Sequence, residues 1–242
     1  MMLYTSINNK KIKYYKQLKQ KKFRDKERKF IVEGEHLVKE AYNNKCLLEV
    51  LTPEKSKLKI DATTSEISES VIKYLTSLQT PTGIFGICKE KENKLKEGKV
   101  LALDGIQDPG NMGTIIRSAA AFNIDTIVVN DKCVDIYSDK VIRASQGLIF
   151  SVNIVKKDIK EVIEDLKNNH TIYATKVDGG KTLKDIEKNK NFVIIMGNEG
   201  NGVSEELIKL ADCNLYIPMN KKCESLNVAV ATSIILYEFG GE

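Results

Sequence analysis

The feature that most restricts this chain is an alternation that begins at Val100. Short continuous apolar runs at 100–103, 126–129, 152–155, 171–174, 192–196 and 214–217 are separated by stretches of helical patterning at 112–122, 139–146, 158–166, 204–210 and 225–239. Such runs are apolar throughout rather than at every second residue. Strands read this way when helices cover both faces of a parallel sheet. The second half of the chain is therefore expected to be α/β with a parallel sheet, its strand order left open.

The first half carries a smaller α/β pattern. A basic helix is expected over 7–22, with Ile12, Tyr15 and Leu18 on one face. Phe30-Ile31-Val32 reads as a strand, and Gly34 breaks it before a helix over 36–42. A second strand at 47–51 stops at Thr52-Pro53. Ser65 is expected to start a helix whose apolar positions are Ile67, Val71, Ile72, Leu75 and Leu78, followed by a strand at 83–88. The stretch 89–99 is almost wholly charged or polar and reads as a linker. The expected division is a domain over 1–90, a linker over 91–98 and a second domain over 99–242, which a chain of 242 residues accommodates.

Composition narrows the function classes. No apolar run approaches membrane-span length and residues 1–10 lack a signal pattern, so a cytoplasmic protein without membrane association is expected. The five cysteines (Cys46, Cys88, Cys133, Cys213, Cys223) are scattered, with no C-x-x-C pair, and are expected to be reduced. Only His36 and His170 are present, far apart, so no metal site is expected. The net charge of +5 is modest, but eleven Lys and Arg residues fall between Lys10 and Lys29, opposed only by Asp25 and Glu27. Such a run draws a polyanion through counterion release. The candidate RNA contacts are Lys10, Lys11, Lys21, Lys22, Arg24 and Arg28; the plain alternative is a solvated helix face.

Three loops follow strands, at the ends where open α/β sheets bind ligands. The first is Asp104-Gly105-Ile106-Gln107-Asp108-Pro109-Gly110-Asn111-Met112-Gly113, whose following helix would offer free N–H groups to an anion. Arg117 lies further along, among Ile115, Ile116, Ala119 and Ala120, either as a structural ion-pair partner or as a functional group. The second loop, Gly197-Asn198-Glu199-Gly200-Asn201-Gly202, is spaced G-x-x-G-x-G and matches neither the dinucleotide fingerprint nor a P-loop. Glu199 could orient a ligand or balance a helix dipole. The third runs from Ile217-Pro218-Met219-Asn220 to Ser225-Leu226-Asn227, where Ser225 and Asn227 both suit a helix cap.

Taken together the three loops resemble the three motifs of the SpoU (TrmH-type) RNA ribose 2′-O-methyltransferases. Asn111, Gly113 and Arg117 fall on the N-x-G-x-x-x-R of the first motif, Met196-Gly197-Asn198-Glu199-Gly200 with Gly202 on the second, and Ile217-Pro218-Met219 with Ser225-Leu226-Asn227-Val228-Ala229-Val230-Ala231 on the third. The resemblance covers roughly residues 100–242 and implies a deep trefoil knot, a homodimer and S-adenosylmethionine as cofactor. By position it assigns cofactor contacts to Gly197, Glu199, Ile217, Met219 and Leu226. Phe30-Ile31-Val32-Glu33-Gly34 and the helix after it resemble the small ribosomal-protein-like domain of rRNA-directed members. The implied substrate is structured RNA, 23S rRNA ahead of tRNA. One departure is Asn220-Lys221-Lys222, where many members carry a Gly; Asn220 would supply a left-handed backbone if the loop needs one.

The resemblance implies that Arg117 is the catalytic residue, acting as general base, with Asn111 holding it or the RNA and Ser225 and Asn227 positioning the nucleotide. A guanidinium is a poor base. The milder chemistry has Arg117 bind the phosphate beside the target ribose and polarise the 2′-hydroxyl, the proton passing to that phosphate or to water. Two other classes stay open at this point: a non-catalytic RNA-binding protein of the same fold, and a nucleotide-binding oxidoreductase, the latter resting only on a strand–glycine loop–helix pattern.

Overall fold

The computed structural model describes residues 2–187 and 189–240. Met1, Lys188 and residues 241–242, which close the domain expected over 99–242, lie outside the described residues. The chain forms two compact units, Met1–Glu92 with Asp135–Ser151, and Asn93–Val134 with Val152–Glu242. The division differs from a single cut at the linker, because residues 135–151 leave the second segment and pack into the first unit.

In the first unit, β1 (Met2–Tyr4), β2 (Lys29–Glu33), β3 (Leu47–Pro53), β4 (Thr64–Ile67) and β5 (Phe85–Lys89) make a mixed sheet of order β1-β4-β3-β5-β2. One face is covered by α1 (Lys10–Gln17) and α4 (Glu69–Leu75), which bury Ile12, Tyr15, Val71 and Leu75 against Ile31, Leu51, Phe85 and Ile87. Helix α2 (Lys21–Glu27) leads into β2, and α3 (Glu35–Asn43) packs against β2, β3 and β5. Phe30 stacks on Tyr137 at 4.5 Å and on Phe150 at 6.0 Å, which seats the 135–151 segment.

Two helices expected from periodicity are drawn differently. The basic helix expected over 7–22 is two helices, because the chain closes α1 with tight turns at Leu18, Lys19 and Gln20. Leu18 is fully buried, and its freed carbonyl accepts a hydrogen bond from Arg24 Nη1 at 3.0 Å. The helix expected from Ser65 begins only at Glu69: Ser65 and Ile67 belong to β4, held between β3 and β1. Ile67 shares the helical spacing of Val71 yet faces the same core from a strand, which periodicity alone does not distinguish.

In the second unit, β6 (Lys99–Leu103), β7 (Thr126–Val129), β8 (Ile154–Lys156), β9 (Thr171–Thr175), β10 (Lys181–Thr182), β11 (Phe192–Met196) and β12 (Cys213–Tyr216) pair in parallel throughout, in the order β10-β12-β9-β11-β6-β7-β8. Helices α7 (Ile159–Leu166) and α8 (Glu205–Leu210) cover one face through Val162, Ile163, Leu166 and Leu207. Helices α5 (Pro109–Ala121) and α9 (Val228–Gly240) pack together, and Phe239 of α9 meets Tyr173 and Phe192 edge-on at 5.1 and 5.0 Å. A Cβ at Gly240 would collide with the Phe122 carbonyl, so a residue without a side chain sits where α9 meets the end of α5. The short helix α6 (Asp139–Ala144) belongs to the first unit. Among the described residues no helix is long and apolar enough to cross a membrane.

The sheet order places the site. Strands β6 and β11 are neighbours with Leu103 opposite Met196, so the loops after them start side by side where the chain order reverses, which is where open parallel sheets bind ligands.

Candidate active site

A cavity of about 530 Å³ opens at the carboxyl ends of β9, β11 and β12. It is lined by the loop 196–203, by 175–178 at the end of β9, by 215–217 with Met219, and by 225–228 leading into α9. Ile217, Met219, Leu226 and Ile235 give it an apolar wall, and Gly197 opens it at the end of β11. A Cβ at Gly197 would overlap the backbone of Gly202 and Val203, so the loop returns on itself only because that position is glycine. Asn198 and Gly202 then pair as an isolated bridge, with both N–H···O distances at 2.9 Å.

Beside the cavity the three loops are joined by one hydrogen-bonded network. The Glu199 carboxylate accepts from Asn111 Nδ2 at 3.1 Å and from the backbone amides of Gln107 at 3.3 Å and Asp108 at 3.2 Å. Asn227 Nδ2 donates to Asn111 Oδ1 at 2.9 Å, while Asn227 Oδ1 accepts from the amides of Ala229 and Val230 at 3.0 and 3.3 Å. Asn198 Nδ2 donates to Gly105 O at 2.8 Å, and its Oδ1 accepts from the amides of Gly200 and Asn201. Burial works against charge on Glu199, but the donors from Asn111, Asp108 and Gln107 outweigh it and hold its carboxyl below the usual carboxylate range.

This architecture and its loop motifs can be set beside known proteins. Residues 98–237 match the SpoU rRNA Methylase family. The chain belongs to the SpoU rRNA methylase family. Residues 9–86 match the MRM3-like substrate binding domain. The chain is 37% identical to the 23S rRNA (guanosine(2553)-2′-O)-methyltransferase RlmP of Bacillus subtilis over 98% of both proteins. Among solved structures, an AdoMet-bound rRNA methyltransferase from Sinorhizobium meliloti is similar with a TM-score of 0.87 and 31% identity, covering 98% of this chain and 96% of that one. The SpoU methyltransferase AviRb from Streptomyces viridochromogenes, in complex with AdoMet, shares the fold with a TM-score of 0.86 at 23% identity, over 97% of this chain and 98% of that one.

Within the SpoU domain, the residues singled out by sequence fall in different places. Gly197, Glu199, Ile217, Met219, Leu226, Ser225 and Asn227 all line the cavity. Asn111 reaches it through Glu199 and Asn227, and no hydrogen bond joins it to Arg117 among the described residues, so of the two roles expected for it only the one toward RNA stays open. Arg117 is exposed on α5 and has no hydrogen-bond or ion-pair partner among the described residues. Asn227, not Ser225, caps α9. At the start of α5, Asp108 Oδ1 accepts from Asn111 N at 2.7 Å, and Glu199 takes the amides of Gln107 and Asp108 just before the helix. Both readings of Glu199 thus meet in one position, an acid at a helix start that also borders the cavity, although the helix is α5 rather than its own. Asn220 has no left-handed backbone; its side chain and carbonyl instead accept from the amides of Lys222 and Cys223 at 3.0 and 2.8 Å, making a turn.

The basic residues of the first unit divide more sharply. Lys10 and Lys22 are exposed and unpaired among the described residues. Lys21 pairs with Asp25 at 2.6 Å, Lys11 with Glu49 at 2.7 Å and Arg28 with Glu90 at 3.2 Å, all three remaining accessible. Arg24 is a correction: at 4% exposure it binds Asp135 through Nε at 2.9 Å and through Nη2, which removes it from any RNA-contacting surface. Charge density in sequence does not reveal which cation turns inward.

Two groups of site residues escaped the sequence reading. Thr175–Asp178 line the cavity after β9, a placement signalled by their position at the carboxyl end of a parallel strand. Asn130 carries no such signal: Asp104 stands in the first motif loop, but the contact between them depends on β6 and β7 being neighbours.

Proposed function

We propose that this protein transfers a methyl group from S-adenosylmethionine to a ribose 2′-hydroxyl of structured RNA, with 23S ribosomal RNA as its substrate. The observation that carries this reading is the joining of the three motif loops at one cavity through Glu199, Asn111 and Asn227. The cavity suits the cofactor in size and in kind. Its volume is in the range of small-molecule sites, and Ile217, Met219 and Leu226 offer apolar contact beside the backbone groups of the glycine loop. When bound, S-adenosylmethionine supplies a methyl already activated by its sulfonium. The protein is left to align the ribose and to promote loss of a hydroxyl proton.

Arg117 suits the second task as a cation rather than as a base. Exposed, and unpaired among the described residues, it can engage the phosphate next to the target ribose and polarise the 2′-hydroxyl, the proton passing to that phosphate or to water. Ser225 and Asn227, at the cavity edge, position the nucleotide. Lys10 and Lys22 of the first unit add sequence-independent attraction for RNA. The knotted path implied by the loop motifs belongs to the same reading. So does a homodimer: Val230, Ile234 and Tyr237 are 48%, 37% and 64% exposed at i, i+4 and i+7 of α9, an apolar stripe that a second copy would cover.

The test is methyl transfer from radiolabelled S-adenosylmethionine to total RNA of cells lacking this protein, for wild type and Arg117→Ala. Label in large ribosomal RNA with wild type alone is the expected result. Label in the tRNA fraction would overturn the substrate, and absence of cofactor binding would restore the non-catalytic RNA-binding reading.

A further inference from the structure

We propose that Asn130, together with the buried Asp104, is a positioning residue that sets the geometry of the Glu199–Asn111–Asn227 network. This inference rests on the function proposed above only for its catalytic consequence; the clamp itself is a matter of geometry. Asp104 is the first residue past β6 and is 5% exposed. Its Oδ1 accepts from Asn130 Nδ2 at 2.8 Å and its Oδ2 from the amide of Ser204 at 2.9 Å, so both oxygens are used. Asn130 is the first residue past β7, and Ser204 ends the loop that follows β11. One carboxylate therefore ties together the loops of three adjacent strands, β11, β6 and β7.

The clamp reaches the network through Gly105. With φ at +74°, this residue directs its N–H to Asn130 Oδ1 at 3.1 Å and its carbonyl to Asn198 Nδ2 at 2.8 Å. The next turn of chain is pinned again where Val134 N donates to Ile106 O at 2.8 Å. Immediately beyond lie the amides of Gln107 and Asp108 that hold Glu199. Asn130 touches neither the cavity nor Glu199, so its effect passes through the 105–108 backbone. An amide side chain is required because one end must donate to a carboxylate while the other accepts from a backbone N–H.

The experiment uses the full chain with Asn130→Ala and Asn130→Asp. Hydrogen exchange at Gln107 and Asp108 is measured first, then turnover, RNA KM and cofactor affinity. The alanine variant is expected to lose protection at both amides about tenfold or more and to lower turnover roughly 10- to 100-fold, with RNA KM and cofactor affinity within about twofold. Asn130→Asp sets a second carboxyl against Asp104, and two such groups in contact do not both ionise readily. Titratable neighbours are Asp131, next in the chain, Lys132, whose stem lies beside Gly105, and Cys133, whose Sγ lies 3.5 Å from Asn130 Oδ1. Relative to wild type, the aspartate variant should recover turnover as pH falls and the pair shares a proton; the alanine variant should not. Unchanged amide protection in both variants overturns the proposal, as does turnover equal to wild type in the alanine variant. If wild type itself transfers no methyl, the proposed function fails alone, and amide exchange still decides the clamp.

Discussion

In α2, Arg24 is 4% exposed and spends its guanidinium on the Asp135 carboxylate and the Leu18 carbonyl. In α5, Arg117 stands in solvent without a partner among the described residues. The chemistry is the same and the consequences are opposite. A buried, fully bonded guanidinium ties elements together, here the end of α1 and the 135–151 segment within one unit. An exposed guanidinium, on the helix whose first turn joins Glu199 and Asn227, leaves its donor fork open to solvent. Substitutions at the two positions should therefore separate cleanly into loss of stability and loss of turnover.

The largest expected effect is on Arg117. Arg117→Ala should lower single-turnover methyl transfer by about 10²–10⁴-fold, the usual range for a group assisting proton transfer. Its thermal midpoint should move by no more than about 1 °C and its cofactor affinity should stay near wild type. Weakened cofactor binding with an unchanged single-turnover rate would break the contrast. Arg24→Ala is the reverse case. Urea unfolding should show a loss of about 3–5 kcal/mol, because the change leaves Asp135 charged, buried and unpaired. Turnover per folded molecule should hold, and replacing both partners by apolar residues (Arg24→Met with Asp135→Leu) should restore most of the stability.

Glu199→Gln is expected to act between these extremes, reducing turnover about 10- to 100-fold, the equivalent of roughly 1–3 kcal/mol for a disturbed charged hydrogen-bond network. It also has a pH signature. A carboxyl held below its unfolded value near 4.3 contributes stability that is fully present above that value and is lost as pH falls through the lower, folded one. Thermal midpoints of wild type and Glu199→Gln should thus differ most at neutral pH and converge at the acid end, and parallel curves would count against the network. The smallest effects belong to Lys10 and Lys22. Alanine at either should reduce the slope of log affinity for RNA against log salt by about one and leave turnover at saturating RNA unchanged. An equal slope change from Arg24→Ala, measured on folded protein, would contradict its burial.

Much of this could be read in the chain before any coordinates. The continuous apolar runs from Val100 onward announce a parallel sheet, and its seven strands are parallel throughout. Three strands went unread: β10, two residues long, and β4, Thr64–Ile67, carry no apolar run, and β1 is only Met2–Tyr4. Ile217, Met219 and Leu226 were legible because their loop follows a strand and carries a recognisable pattern. Helix ends were less so: Ser225 and Asn227 both suit a cap, and only the backbone shows that Asn227 accepts from Ala229 and Val230.

The sequence by itself determined the strand–helix alternation, the glycine loop at Gly197, the family and the cavity residues that lie in the motif loops. Each of these follows from local pattern: apolar periodicity, a missing Cβ, or a motif contained in one loop. The tertiary structure decided the fate of each polar side chain. Asn111 bonds Glu199 and Asn227, Asn130 bonds Asp104, Arg24 turns inward to Asp135, and Arg117 stays exposed. These partners lie 26 to 116 residues apart. Hydrogen bonding is short-ranged and directional, so which groups meet depends on strand order and on where each loop turns, and no local pattern encodes either.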